Sequence, residues 1–138
     1  STLGLMNSDE IKRRLLSNAA EISRLHGRIH ETLRYRSVGP KQRGEWERAC
    51  QEFHSRYDQL AFPGGYSSAF ERMLVGDNKA IEAALCFLEC RPYFFRSGYM
   101  WKEILRKIKR VPLSESQADR LRIIMKKHDE WRASKNTA

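Results

Sequence analysis

LRYRSVGPKQRGEW, residues 33–46, places a short turn between two long segments with helical periodicity. The turn runs from Ser37 to Pro40, where glycine followed by proline interrupts a helix and favours a change of chain direction. Two amphipathic helices joined by so few residues are expected to pack side by side as an antiparallel hairpin. The rest of the predicted fold extends from this hairpin.

Upstream of the turn, the sequence predicts a first helix over residues 8–36. Asn7 or Ser8 can cap its N-terminus with a side-chain oxygen. Asp9 and Glu10 follow, where negative charge is favourable against the positive end of the helix dipole. Apolar side chains recur along the segment at the intervals that a single buried helix face requires. They are Ile11, Leu15, Ile22, Leu25, Ile29 and Leu33.

Downstream of the turn, a second helix is predicted over residues 41–61, again with one apolar face. That face comprises Trp46, Ala49, Phe53, Tyr57 and Leu60. Residues 62–66 then read Phe-Pro-Gly-Gly-Tyr, a combination that ends a helix. We therefore expect the chain to divide here into an N-terminal hairpin and a C-terminal region.

The C-terminal region carries four shorter helical patterns, at residues 67–75, 77–90, 97–110 and 114–131. In the last three, apolar residues recur at i, i+3, i+4 and i+7, so each helix has one face to bury. Short antiparallel helices with similar faces stack against one another, as in part of an α-solenoid.

These patterns predict an all-α fold in which the long N-terminal hairpin packs on a C-terminal stack of about four shorter helices. No segment has the strict alternation of a half-buried strand. We expect one domain over residues 1–138, because either part alone would leave an apolar face exposed. Residues 8–61 would form the hairpin and residues 66–132 the stack.

The positive charge of the chain is concentrated towards its C-terminus. The whole chain has a formal charge of +9. Residues 1–90 carry 13 Lys or Arg and 12 Asp or Glu, whereas residues 91–138 carry 13 and 5. Such asymmetry indicates an acidic partner, whether a protein, a nucleic acid or a membrane surface. A basic surface that only favours solubility explains it equally well.

The predicted fifth helix is the clearest candidate for binding such a partner. One of its faces carries four cations, which we call the basic ridge: Lys102, Arg106, Lys109 and Arg110. Glu103 does not lie on this face, and its spacing favours an ion pair with Lys107 instead. Arg122 and Lys126 add positive charge on the next helix. The alternative is a face that is merely solvated.

Residues 93–101 read YFFRSGYMW and gather aromatic side chains around Arg96, at the corner before the fifth helix. Aromatic and basic side chains together can stack on nucleobases or anchor a protein interface. Aromatic residues at a helix corner more commonly fill the junction between packed helices, which is the interpretation that we favour. We expect Tyr93 and Tyr99 to be partly exposed, and Arg96 and Tyr99 to join the partner-binding residues.

Four residues of the hairpin form a candidate metal site: His26, His30, Cys50 and His54. They make two pairs, each four residues apart on one helix face. A hairpin folded at Pro40 would bring the two pairs opposite each other, and zinc accepts three imidazoles and one thiolate. Half-exposed side chains without a ligand are commoner at such positions, so we expect no metal and no other cofactor.

The sequence contains no recognised catalytic motif. It has no nucleophile elbow, no phosphate-binding glycine loop and no zinc-protease helix motif. No apolar run approaches the roughly 18–20 residues that span a bilayer. Cys50, Cys86 and Cys90 fall beside apolar neighbours in helical patterns, which indicates buried reduced thiols and a cytoplasmic location.

From these observations we expect a non-catalytic protein-binding module whose basic C-terminal face binds an acidic protein. It could be an adaptor, a regulator or an inhibitor of the immunity-protein type. The alternative is a nucleic-acid-binding protein that contacts phosphates through its fifth helix. A metal-binding helical protein is a further alternative.

Overall fold

All regular secondary structure in the computed structural model, which describes residues 7–136, is helical. The helices are α1 (Ser8–Leu33), α2 (Pro40–Ala61), α3 (Ala69–Leu74), α4 (Asn78–Cys90), α5 (Ser97–Ile108) and α6 (Glu115–Asn136). The predicted all-α fold is therefore confirmed. The predicted domain also included residues 1–6 and 137–138, which lie outside the described range. None of the helices in that range combines the length and the apolar character needed to cross a lipid bilayer.

α1 and α2 form the predicted antiparallel hairpin. Two ion pairs between the helices run in opposite order along the chain, as antiparallel packing requires. Glu21 lies 2.7 Å from Arg56, and Arg28 lies 3.9 Å from Glu52. The buried face of α1 follows the predicted periodicity and comprises Ile11, Leu15, Ala19, Ile22 and Leu25.

The ends of α1 differ in how closely they match the sequence prediction. At the start, Asn7 is the cap, and its side chain accepts a hydrogen bond from the backbone N–H of Glu10 at 2.9 Å. At the other end, α1 stops at Leu33 instead of residue 36. It stops because the N–H groups of Tyr35 and Val38 bond to carbonyl oxygens three residues back, as in turns.

α4 lies at the centre of the fold and is buried on nearly all sides. Its buried residues are Ala80, Ile81, Ala83, Ala84, Leu85, Cys86, Phe87 and Leu88. It packs against α1, α3, α5 and α6, and its small alanine side chains allow these neighbours to approach closely. A helix with an apolar surface this wide is expected in such a position, and Glu82 and Glu89 mark its polar side. The hairpin is therefore joined to the shorter helices mainly through α1 and α4.

A capping box begins α6. The backbone N–H of Ser114 donates to Gln117 Oε1 at 3.0 Å, and the backbone N–H of Gln117 donates to Ser114 Oγ at 3.2 Å. The Gln117 amide also donates to Asn78 and Glu82 of α4, at 2.8 and 2.9 Å. α6 continues to Asn136, beyond the predicted end at residue 131, and its residues 129–136 are exposed.

The corner between α4 and α5 is set by two arginines with a left-handed backbone. The φ angles are 48° at Arg91 and 68° at Arg96. Within the corner, Ser97 Oγ accepts a hydrogen bond from the backbone N–H of Phe94 at 3.0 Å. The indole N–H of Trp101 donates to a main-chain carbonyl oxygen of α4 at 3.0 Å. These bonds hold Phe94 and Trp101 in the core, as predicted for a helix corner.

Candidate functional site

An open groove lies where α1 passes the corner between α4 and α5. Its volume is about 630 Å³. α1 contributes Ser23, His26 and Gly27, and the opposite side is formed by residues 93–99 and Lys102. We call this feature the corner groove. A Cβ atom on Gly27 would have no neighbour within 4 Å, so the groove is open beside α1.

Three aromatic side chains of the corner face outward instead of entering the core. The exposed fractions are 89% for Tyr93, 78% for Tyr99 and 42% for Phe95. The two tyrosines are exposed, as predicted, and more fully than the partial exposure expected of them, and the core interpretation is wrong for Phe95. Because the backbone is not helical here, Phe94 points inward while its neighbours on both sides point outward. Clustered exposed rings are typical of an interaction site.

His26 forms one wall of the corner groove by stacking on Phe95. The ring centres are 4.4 Å apart and the ring planes differ by 19°. His26 also lies against Phe53 of α2, with the ring centres 5.5 Å apart. Burial, together with the charge of His30, lowers the pKa of His26. Burial therefore favours the neutral imidazole, which packs against Phe95 and Phe53.

Two cations border the exposed rings. The Arg96 guanidinium lies 5.3 Å from the centre of the Phe95 ring, in a cation–π contact. Lys102 lines the groove about one helical turn after Tyr99. Neither cation forms an ion pair with a residue in the described part of the chain. The corner groove therefore combines aromatic surface with uncompensated positive charge.

The basic ridge continues from the corner groove along α5. All four of its side chains are exposed, on the side of the helix away from the buried Trp101, Ile104 and Ile108. α5 ends at Ile108, two residues before its predicted end, and the N–H of Arg110 bonds three residues back at 3.0 Å. Lys109 and Arg110 lie in this turn and stay exposed. The ridge therefore extends from α5 into the turn that follows it.

Within residues 7–136, the acid that pairs with the basic ridge is Glu103 of α5 itself. It lies 3.9 Å from Arg106 and 3.6 Å from Lys107. It also accepts a hydrogen bond from the hydroxyl of Tyr66. That hydrogen bond and the charges of Lys107 and Arg106 lower the pKa of Glu103. One carboxylate shared among these groups neutralises little of the ridge, and no acid of the hairpin contacts it in the described range.

Arg122 and Lys126 lie apart from this surface. Both are exposed on α6, and neither lines the corner groove. Arg122 forms an ion pair with Asp119 of the same helix. The other predicted partner-binding residues lie in the corner groove or on the basic ridge.

The four candidate metal ligands, His26, His30, Cys50 and His54, do not come together. Among residues 7–136, no three His, Cys, Asp or Glu side chains form a group that could hold a metal ion. The hairpin is present as predicted, but His26 stacks on Phe95 of the corner, whereas His54 is exposed to solvent. The geometry therefore does not support a metal site in the hairpin.

Sequence reasoning missed the part that His26 and Phe95 play in the corner groove. Pro92 was a partial signal for Phe95, because a proline after a helical pattern ends that helix, and adjacent side chains of a non-helical segment can point to opposite sides. The position of His26 had no such signal. Its contact depends on how α1 packs against a corner distant in sequence.

The corner groove and the basic ridge share Lys102 and form one candidate binding surface. It offers exposed aromatic rings at one end and a row of cations along α5. Comparison with protein-family models, with curated proteins and with solved structures found no match to this chain.

Proposed function

We propose that this chain is a non-catalytic protein-binding module that binds an acidic segment of another protein. The segment lies across the corner groove and along the basic ridge. One observation carries the proposal: three exposed aromatic rings adjoin two cations that have no acidic partner in the described range.

The chemistry of the corner groove suits a protein interface. Tyrosine and arginine are enriched among the residues that dominate binding energies. A tyrosine ring buries much surface while losing little conformational freedom, and arginine adds a charged, planar hydrogen-bond donor. An apolar side chain of the partner can rest against the stacked rings of His26 and Phe95. Carboxylates of the partner can then pair with Arg96 and Lys102.

The basic ridge sets the length of the bound segment. Exposed side chains follow one another along the outward side of α5 and into the turn after it: Tyr99, Lys102, Arg106 and Lys109. At 1.5 Å per helical residue, these positions span about 15 Å. A row of carboxylates of that length can pair with the ridge, and long-range attraction between the two would speed their encounter.

The residues of the corner groove support binding rather than catalysis. Ser97 Oγ accepts a hydrogen bond from the N–H of Phe94, and His26 stacks on Phe95. No hydroxyl of the described groove is hydrogen-bonded to His26, so the pairing that activates a serine nucleophile is not formed.

The proposal extends to the setting of the interaction. Cys50, Cys86 and Cys90 are free thiols, which supports a reducing compartment and hence the cytoplasm. Adaptor, regulator and immunity-type inhibitor are all roles for a compact helical module with one charged face.

Site-specific photocrosslinking tests the proposal. Tyr99 is replaced by p-benzoylphenylalanine, and the protein is irradiated in native lysate with and without nuclease. We expect a nuclease-resistant polypeptide adduct whose crosslinked peptide is acidic. The same crosslinker at Val75, which is 83% exposed in the turn between α3 and α4, should not form this adduct.

Charge reversal supplies the decisive comparison. Lys102→Glu with Arg106→Glu should abolish the adduct while circular dichroism stays unchanged. Arg13→Glu with Lys41→Glu makes the same change of net charge at exposed hairpin positions outside the groove and should leave the adduct intact. If the adduct survives reversal at Lys102 and Arg106, the ridge is only a solvated face and the proposal is wrong.

A nucleic-acid-binding function is the second candidate, and the exposure of Tyr93 and Tyr99 favours it. Rings that face solvent beside Arg96 can stack on unpaired bases, while the basic ridge contacts phosphates. Fluorescence polarisation with a labelled single-stranded RNA tests this candidate. Binding should weaken steeply with salt, with a log–log slope of about −0.7 per phosphate contact, and Tyr99→Ala should weaken it further. A lack of binding at low salt would eliminate the candidate.

A further inference from the structure

A second cleft, of about 380 Å³, lies between α6 and the junction of α4 with α5. It shares no lining residue with the corner groove. We call it the tryptophan cleft. Its lining includes Arg91, Trp101, Ile124, Lys127, His128 and Trp131.

Arg91 is fixed in the tryptophan cleft by its backbone and by two indole rings. It ends α4 with a φ angle of 48°, and its N–H bonds to the carbonyl oxygen of Phe87 at 2.9 Å. Its guanidinium lies 4.1 Å from the centre of the Trp101 ring and 5.6 Å from that of Trp131. Trp101 is itself anchored, because its indole N–H donates to the carbonyl oxygen of Leu88 at 3.0 Å. Stacking on a ring leaves the N–H edge of a guanidinium free to bind a ligand.

The charges that line the cleft do not balance. Its acid, Glu89, lies 2.6 Å from Arg120 and 3.4 Å from Lys12, so it is already engaged by two cations. Arg91 and Lys127 have no acidic partner among residues 7–136. A planar guanidinium and an ammonium that line one cleft make an arrangement suited to a carboxylate.

The remaining surface of the cleft is apolar or aromatic. Leu88 and Ile124 supply buried aliphatic surface. Trp131 is 46% exposed, and its ring is stacked with that of His128 at 6.0 Å between centres. Lys135 lies 4.3 Å from the centre of the Trp131 ring and adds a further cation near it. The volume of about 380 Å³ is at the lower end of small-molecule sites, which run from about 300 to 1,000 Å³.

We infer that the tryptophan cleft binds a small aromatic carboxylate. The carboxylate pairs with Arg91 and Lys127, and the ring lies over Leu88 and Ile124 beside Trp131. A neutral aromatic molecule would forgo the ionic contacts, and an aliphatic acid would forgo the ring contacts. This inference is independent of the protein-binding proposal, since the two sites share no residue.

Parallel titrations with 1-naphthylacetate and its neutral amide, 1-naphthylacetamide, test the inference by NMR of the ¹⁵N-labelled chain. We expect the acid to shift the indole N–H resonances of Trp101 and Trp131. The resonance of Trp46, which is on α2 outside the cleft, should stay in place. The acid should bind about tenfold more tightly than the amide, because only the carboxylate carries a negative charge and can form ion pairs with Arg91 and Lys127.

Substitutions in the cleft show which residues bind the carboxylate of 1-naphthylacetate. Arg91→Gln and Lys127→Gln should each weaken binding of 1-naphthylacetate by about tenfold. Arg13→Gln removes an exposed cation of α1 that does not line the cleft and should leave the affinity unchanged. Lys127 is exposed, so its variant keeps the fold even if Arg91→Gln disturbs the end of α4.

Three results would overturn the inference. The first is equal affinity for the acid and the amide. The second is unchanged affinity in the Lys127→Gln variant, which would place the carboxylate elsewhere. The third is no shift of the Trp101 and Trp131 resonances at millimolar 1-naphthylacetate.

Discussion

Arg120 connects α6 to α4 through several side-chain contacts. Its guanidinium donates to Glu82 at 2.8 Å and to Glu89 at 2.6 Å, and it approaches Cys86 Sγ at 3.7 Å. The hydrogen bond with Glu89, and then that with Glu82, outweigh burial and raise the pKa of Arg120. The exposed fraction of the Arg120 side chain is 24%, so solvent screens these ion pairs only partly.

Replacing Arg120 with methionine should destabilise the protein by about 2 kcal/mol, because Glu82 would lose its cation and Glu89 would keep only Lys12. A fully buried pair would cost about 3–5 kcal/mol, and solvent screening lowers the effect here. Urea denaturation measures the change. Arg122→Met is the matched control on the same helix, since Arg122 pairs with Asp119 at the surface and should cost less than about 0.5 kcal/mol. Equal effects would contradict the proposed role of Arg120.

Glu89 makes the stability of the protein dependent on pH. Burial raises the pKa of Glu89, but the hydrogen bonds and charges of Arg120 and Lys12 outweigh burial and leave that pKa below the usual 4.5. A carboxyl with a lowered folded-state pKa contributes fully above its unfolded pKa and loses that contribution as the pH falls through the folded value. Glu89→Gln should therefore be less stable than the wild type at neutral pH. The difference should shrink as the pH falls below 4.5 and through the lowered folded-state pKa. If the urea midpoints of the wild type and of Glu89→Gln differ by the same amount at every pH, this account is wrong.

Nothing in the sequence distinguishes Arg120 from Arg122. Both lie in the same helical pattern with acids nearby along the chain, and either could have faced solvent. The angle at which α6 packs on α4 decides between them, and that angle depends on contacts more than thirty residues apart. Contacts between residues so far apart in the chain cannot be predicted from the local spacing of residues in the sequence.

At the scale of the helix, Gly27 affects two different properties, the folding stability of α1 and the shape of the corner groove. It lies inside α1, which continues through it without a break, and a Cβ there would meet nothing within 4 Å. The glycine therefore serves neither a close helix crossing nor a helix break. It does line the corner groove.

Gly27→Ala should stabilise the protein by about 0.5–1 kcal/mol, because alanine has the higher helix propensity and no atom obstructs its methyl group. Thermal denaturation measures the gain. Gly76→Ala is the opposite control, since Gly76 has a φ angle of 84° and alanine there should cost about 1 kcal/mol. A destabilised Gly27→Ala variant would show that the site is strained or occupied.

The helices could be predicted because their signals are local. Caps such as Asn7 and the Ser114–Gln117 box, together with periodic apolar residues, fixed most boundaries to within three residues. The corner after α4 could not be predicted in the same way. Two non-glycine residues, Arg91 and Arg96, adopt left-handed conformations there, and only the packed surroundings stabilise them. Phe95 was therefore assigned to the core although it faces the groove.

For the whole molecule, the central position of α4 predicts cooperative unfolding. Leu85 is fully buried in α4, so Leu85→Ala should cost about 2–5 kcal/mol. In a variant whose single tryptophan is Trp46, the fluorescence reports on the hairpin. In one whose single tryptophan is Trp101, it reports on the C-terminal helices. Leu85→Ala should lower the urea midpoint equally by both reporters. Separate transitions would contradict the prediction that the chain is one domain.

Charge asymmetry revealed part of the candidate site, and only three-dimensional packing revealed the rest. The basic ridge follows from the spacing of Lys102, Arg106 and Lys109 on one helix. The corner groove depends on α1 meeting residues about seventy positions later in the chain, which no periodicity encodes. The sequence therefore indicated where the positive charge lies, but it did not predict the corner groove beside that charge.

The outward rings of the corner groove have an evolutionary consequence. Tyr93 and Tyr99 contribute little to the packed interior, so exchanging them should change the folding free energy by no more than about 0.5 kcal/mol. Selection can then alter which molecule this scaffold recognises without first acquiring compensating mutations in its core. Related chains that share the α4 framework would be expected to diverge fastest at these two positions.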